Sequence, residues 1–291
     1  MRSPKFMAWG ILILIALIWG SSFILIKKGL IIFSPDELGS LRIVMAFLAL
    51  LPTALVALRR VDKKKLPVLF VIGFSGSFMP AFLFALAETE LASSLTGALN
   101  ALTPIFVILV GALFFHQKVG LINAIGIGIG FMGTLFLMLG GSGFDLSGLN
   151  YHALYVVLAT ILYGINVNLI KHFVPDLRSL HITAISLFLT SPICVFYLLG
   201  YTNFMYKLQY TEGFWLAFLY ISALGILGTA VALVMFNKLV KISGTIFASS
   251  VTYLIPIVAI VWGLLDGEQL GITHLTGIGI VIAGVYIANR K

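Results

Sequence analysis

Residues 72–117, IGFSGSFMPAFLFALAETELASSLTGALNALTPIFVILVGALFFHQ, lie without a gap over residues 224–269, LGILGTAVALVMFNKLVKISGTIFASSVTYLIPIVAIVWGLLDGEQ. Gly73, Gly76, Pro104, Gly111 and Gln117 then fall on Gly225, Gly228, Pro256, Gly263 and Gln269. Upstream, Trp19-Gly20 matches Tyr163-Gly164, Lys27 matches Lys171, Pro35-Asp36 matches Pro175-Asp176, and Pro52 matches Pro192. The changes in spacing between these sets fall in loops, where length changes are tolerated. The chain is a duplicated unit. Residues 1–143 form the expected first copy and 144–291 the second, joined by a Gly- and Ser-rich linker around Gly140 to Tyr151.

Composition says where these copies reside. Hydrophobic residues make up 60% of the chain and charged residues 10%, with mean hydropathy +1.13. Soluble domains carry roughly 25% charged residues, so this is a polytopic membrane protein. Charge-free windows run Ala8–Ile26, Ile43–Leu58, Leu66–Ala87, Leu91–Phe115, Val119–Gly140, Ala153–Ile170, Ile182–Leu199, Phe214–Phe236, Ile242–Leu264 and Leu270–Ala288. Most reach the roughly 17–25 residues that cross a bilayer as helix. The second spans only if its helix begins near Asp36 or Glu37 and carries Arg42 inside it. The expected fold is therefore an all-α integral membrane protein of ten transmembrane helices. With five helices per copy the second copy must enter the bilayer upside down, which gives inverted repeats around a central cavity, an arrangement common among secondary transporters.

The formal charge of +8 and pI near 9.6 do not point to nucleic acid, because the basic residues sort by loop. With the amino terminus inside, Arg59, Arg60, Lys63, Lys64, Lys65, Lys118, Lys171, Arg178, Lys238, Lys241, Arg290 and Lys291 join Arg2 and Lys5 on the cytoplasmic side, and the opposite loops hold only Lys27, Lys28 and Lys207. Both termini are expected to be cytoplasmic, in the inner membrane. The first apolar run has no small-x-small cleavage pattern and reads as a retained helix. Cys194 is the single cysteine, a packing residue that excludes an intrachain disulfide and a CxxC site. Short loops leave no room for a catalytic domain outside the bilayer.

Trp19-Gly20-Ser21-Ser22-Phe23, Arg42, Ala92-Ser93-Ser94 leading to Pro104-Ile105-Phe106, and Gly267-Glu268-Gln269-Leu270 carry a resemblance over nearly the whole chain. On these motifs the chain resembles the drug/metabolite transporter superfamily, EamA type. The resemblance implies a cavity lined by helices 1 to 4 and 6 to 9, with helices 5 and 10 packed outside, and it alone implies outward transport. One departure is that the family's Gly-Glu-Arg-like turn after helix 4 reads His116-Gln117-Lys118 here, whereas the second copy retains Glu268. The glycines of helix 5 (Gly126, Gly128, Gly130, Gly133) and helix 10 (Gly277, Gly279, Gly284) suit close packing within the protomer or a homodimer.

Polar groups inside hydrocarbon mark candidate function. Arg42 sits about five residues, roughly 7 Å, below the outer interface, placed to bind an anionic group or to gate. Ser21, Ser22, Asn100, Asn166, Asn168 and Thr252 are candidates to orient a solute, and Trp19, Tyr163 and Tyr253 to contact its apolar part. Pro104 and Pro256 each free a carbonyl one turn earlier and are candidate hinges. Glu37 and Glu88 are candidate coupling or gating carboxylates, since no acidic residue lies in the middle of an apolar run. No metal site, Walker motif or cofactor is expected. The partners expected are a small-molecule substrate and the lipid bilayer, not nucleic acid. The function expected is movement of a small organic metabolite, such as an amino acid or nucleobase, by alternating access. An integral-membrane enzyme and a non-transporting scaffold or sensor are the alternatives.

Overall fold

The computed structural model describes residues 4–139, 150–249 and 251–288, and among these every element is a helix. The linker and the expected division at residue 143 fall outside the described residues. Seven helices are long and apolar enough to cross a membrane: α1 (Met7–Gly29), α2 (Pro35–Leu58), α3 (Lys63–Ala87), α4 (Ser93–Phe115), α6 (Ala153–Phe173), α7 (Ser179–Gly200) and α8 (Phe214–Ser243). Shorter apolar helices are α5 (Leu121–Gly133), α9 (Val251–Leu265) and α10 (Ile272–Ala288).

Local chemistry sets these limits. Pro35 opens α2 and Glu37 in its first turn accepts a hydrogen bond from Ser34 N at 2.9 Å, so the helix starts early enough to carry Arg42 inward. α4 ends where His116 takes a left-handed conformation (φ 53°), and the turn after α9 does the same at Gly267 (φ 81°). The break expected after Phe236 does not occur there, and helical structure continues to Ser249. Asn237 to Ser243 contains no Gly or Pro, and Lys238 and Lys241 are good helix formers.

Helices of the two halves pack on each other: α2 on α7 and α8, α4 on α6, α9 on α1, and α3 on α6. α5 and α10 pair closely. A Cβ on Gly126 would meet the backbone of Ala288, and one on Gly284 would meet the backbone of Gly130, so these glycines serve close packing within the protomer, whereas Gly128 and Gly279 face open space. Cys194 is buried and free.

Two interruptions position the site. α3 is π-helical over Phe74–Phe78, and α8 over Leu224–Val231. In the overlay of residues 72–117 on 224–269 the first segment falls inside the second. A π-turn adds a residue to the helical ring and re-aims the carbonyls around it. α4 is broken instead by a 3-10 turn at Asn100–Leu102. The Asn100 carbonyl, which Pro104 cannot satisfy, accepts Thr103 Oγ1 at 2.8 Å.

Candidate functional site

Where α1, α2, α3, α4, α6, α8 and α9 converge they leave a cavity of about 970 Å3, counting the part continuous with solvent. Seven of the candidate residues line it: Trp19, Ser22, Arg42, Asn100, Tyr163, Asn166 and Thr252.

The polar wall is held by contacts across the halves. Asn166 Nδ2 donates to Ile72 O of α3, two residues before its π-segment, at 2.7 Å, and Trp19 Nε1 donates to Gly228 O within the π-segment of α8 at 2.8 Å, so each of these helices is tied to a side chain from the other half. A Cβ on Gly76 would strike the Asn166 amide, and one on Gly228 would come within 3.1 Å of Ser22 Oγ. Glycine is required at these two crossings so that a polar residue can face a helix backbone. Arg42 is buried, and its Nε donates to Thr229 Oγ1 at 2.9 Å. An aromatic wall completes the cavity: Phe84 lies between Phe23 and Tyr163 with centroids 5.7 and 6.1 Å away, and Trp19 lies 5.2 Å from Phe236.

Other candidates lie elsewhere. Ser21 faces α9, donating to Leu17 O and accepting Trp262 Nε1, both at 2.8 Å. Asn168 Nδ2 bonds Val107 O and Gly164 O at 3.0 and 2.9 Å, which fastens α6 to α4. The Tyr253 hydroxyl donates to Val285 O of α10 at 2.9 Å. Glu37 lies outside the cavity lining, and its carboxylate accepts from Ser34 N at 2.9 Å and from Lys207 Nζ at 2.6 Å. Glu88 is buried, and both its oxygens lack a hydrogen-bond partner among the described residues. Pro104 and Pro256 are buried in their helices without lining the cavity, and α9 runs through Pro256 without a break.

Phe23, Phe84, Phe236, Ser77 and Thr229 also line the cavity. The aromatics carried no signal among so many apolar residues. Thr229 could have been found from its place beside Gly228.

The two ends of the bundle differ. α4 runs between them, with Ser93 at one end and its carboxyl end stacked on His172 of α6 through Phe115, at 4.3 Å. At the first end Glu268 clasps the α4 amino terminus. Its Oε1 accepts Ser93 N and Oγ at 3.0 and 2.8 Å, and its Oε2 accepts Ser94 N and Oγ at 3.1 and 2.6 Å. Lys27 Nζ adds a bond to Oε1 at 2.9 Å and to Asp266 at 2.8 Å, and Lys28 pairs with Asp266. Partial burial pushes the Glu268 carboxyl upward, but the bonds from Lys27, Ser94 and Ser93 outweigh it and hold its pKa at about 2. The Asp266 carboxyl is lowered by its bonds from Lys27 and Lys28.

At the opposite end Gln117 stands where Glu268 stands. Gln117 N bonds Gly111 O just as Glu268 N bonds Gly263 O, one residue off the register of the gapless overlay. Its amide reaches only Asn168 Oδ1 at 3.3 Å and the His172 ring at 3.4 Å. A second, smaller space of about 250 Å3 continues from Gly76, Ser77 and Asn166 toward this end, past Ile170, Ile182 and Asn237. The cavity is thus clasped at the Glu268 end and extends toward the other.

A cavity between apolar helices, lined from both halves and fastened at one end, is the outline of a membrane permease. The model of the EamA-like transporter family matches this chain twice, over residues 7–139 and 150–290, and the chain belongs to that family. It is a multi-pass membrane protein. An uncharacterised transporter of Archaeoglobus fulgidus is 25% identical over 97% of this chain and 99% of its own length. The uncharacterised transporter YdfC of Bacillus subtilis is 29% identical over 45% of this chain and 43% of its own. A solved crystal structure shares the fold with a TM-score of 0.64 at 15% identity, covering 97% of this chain and 96% of its own.

Proposed function

We propose that this protein is a secondary transporter that moves a small organic metabolite through the central cavity by alternating access. Its ten apolar helices form two inverted five-helix repeats, 1–143 and 144–291, with both termini cytoplasmic in the inner membrane. The observation that carries the reading is the unequal closure of the cavity. Glu268, Lys27 and Asp266 fasten one end, and the second space leads away toward the other. The paired ties of Trp19 to Gly228 and Asn166 to Ile72 support the inverted relation, because each half supplies one. So do the ion pairs Lys65–Asp176 and Lys207–Glu37, both at 2.6 Å, which join corresponding helix starts at opposite ends.

In this reading Ser22, Asn100, Asn166 and Thr252 orient the solute, Trp19 and Tyr163 hold its apolar part, and Arg42 meets an anionic group. The π-segments of α3 and α8 and the 3-10 break of α4 are where the helices bend. The basic end, with Arg59 to Lys65 and Lys238, is cytoplasmic, so the clasp faces outward, and the resemblance to the family gives export as the direction. The close contacts of Gly126, Gly133 and Gly284 across α5 and α10 favour a monomer over a homodimer.

The test is uptake and efflux in proteoliposomes with a broad mixture of labelled amino acids, nucleobases and organic acids, with and without a pH gradient. Saturable movement of at least one solute is expected, lost in Asn100→Trp, which fills the cavity. A folded protein that moves none of them overturns the reading.

A further inference from the structure

Arg42 has a peculiar electrostatic position. It is 8% exposed and lines the cavity, its Nε is held by Thr229, and among the described residues it forms no ion pair. The bond to Thr229 holds the guanidinium through Nε and leaves the two terminal nitrogens of this cavity-lining side chain without a hydrogen-bond partner among the described residues. Such a fork matches a carboxylate through two parallel hydrogen bonds. Glu88 faces Arg42 from the turn after α3 but makes no hydrogen bond or ion pair with it among the described residues, so the buried charge lacks a contact partner, and that partner is most simply the cargo.

The rest of the lining narrows the class. Among the described residues Arg42 is the only charged side chain in the wall, so the site compensates a single negative charge. A phosphate monoester carries about two at neutral pH and would be left with one unmatched. The wall contains no carboxylate either. Glu88 is not among the lining residues, and Glu37 and Glu268 are bound to Lys207 and Lys27. The ammonium group of a zwitterion would meet only neutral oxygens. Five aromatic rings, Trp19, Phe23, Phe84, Tyr163 and Phe236, supply the faces for a flat apolar body.

We infer that the substrate is a small organic monoanion, a carboxylate with an apolar ring and no free ammonium group, bound through Arg42. This inference rests on the permease reading and deepens it.

Three compounds of one shape and different charge test it in proteoliposomes: phenylpropanoate, phenylalanine and phenethylamine. Phenylpropanoate is expected to move at least about tenfold faster than the other two, a preference of the size a charge-assisted pair gives. That ratio should collapse toward unity in Arg42→Gln and be partly kept in Arg42→Lys. Thr229→Val, which frees the fork without removing charge, should weaken the preference and leave the thermal melting temperature near that of the parent. Faster movement of phenylalanine or phenethylamine overturns the inference and leaves the permease intact. So does movement of other solutes from the broad mixture when none of the three moves. If no solute of any class moves in folded protein, the permease reading itself falls.

Discussion

Glu268 accepts both the backbone amide and the hydroxyl of Ser94, at 3.1 and 2.6 Å, so a carboxylate from the turn before α10 serves as the cap of α4. A negative charge at a helix amino terminus is favoured by the exposed N–H groups and the helix dipole. Lys27 ties the same carboxylate to α1. Three helices are therefore fastened at one end of the cavity through one side chain.

Glu268→Gln keeps the shape and removes the charge. It should weaken the clasp by about 1–3 kcal/mol, the range for losing charge-assisted hydrogen bonds. The cavity beyond Ile26 should become reachable from the clasp side. Because the only native cysteine is buried, an added Ile26→Cys can be labelled selectively. Faster labelling by an impermeant maleimide in the Gln variant is the expected result. Equal rates would show that the clasp does not control access.

The clasp also sets a pH window. Glu268 titrates near 2 when clasped and near the ordinary 4.5 when free. Because the clasped value is the lower, its contribution to stability is complete above about 4.5 and is lost as pH falls from there toward 2. Thermal melting in detergent should be insensitive to pH between about 8 and 5 on this account, and fall below that. The fall should be smaller in Glu268→Gln. A variant that tracks the parent at every pH would place the acid sensitivity elsewhere.

Much of this architecture was legible in the residues. The duplication, the helix order and the membrane setting follow from spacing and hydropathy, and Trp19, Ser22, Arg42, Asn100, Tyr163, Asn166 and Thr252 stood out as polar or amphipathic groups in apolar runs. The sequence did not separate a polar group facing a cavity from one fastening two helices. Asn166 and Asn168 differ by two positions and therefore by slightly more than half a helical turn, and only packing tells which points inward. The π-segments were invisible because Phe74 to Phe78 and Leu224 to Val231 read as ordinary apolar runs with glycine. The capping role of Glu268 depends on a partner far away in sequence, which no local pattern encodes.

Gly76 and Asn166 provide a quantitative check. Alanine at residue 76 would gain up to about 1 kcal/mol of helix propensity. Its Cβ, however, would displace the Asn166 amide from Ile72 O. Overpacking and a lost buried hydrogen bond together cost about 2–4 kcal/mol, so the clash wins. Gly76→Ala should lower stability and transport. Gly76→Ala with Asn166→Ala should recover part of the loss, because the second change makes room. Gly228→Ala should be milder, since its Cβ meets the Ser22 hydroxyl at 3.1 Å and that group can rotate. A double-mutant cycle on thermal unfolding measures the coupling, and additive effects would contradict the contact.

Glu88 lies in the turn after α3, one helical turn past the cavity-lining Phe84 and on the side of the clasp. Lys27 of α1, Arg42 of α2 and Glu268 of the α9–α10 turn are the charged groups that face it. Its carboxyl is buried and its oxygens have no hydrogen-bond partner among the described residues. A charged carboxylate in that setting would cost several kcal/mol, so the group is neutral in this state. Glu88→Gln should then change stability by less than about 1 kcal/mol. When the clasp opens, Lys27 is released from Glu268 and becomes available to Glu88, and an ionised carboxylate becomes favourable. Transport by the parent should therefore depend on pH above the ordinary carboxylate range, because burial raises the Glu88 carboxyl, and Glu88→Gln should flatten that dependence. A destabilisation above about 3 kcal/mol in Glu88→Gln would instead reveal a charged, paired carboxylate. An unchanged pH profile would remove Glu88 from the coupling.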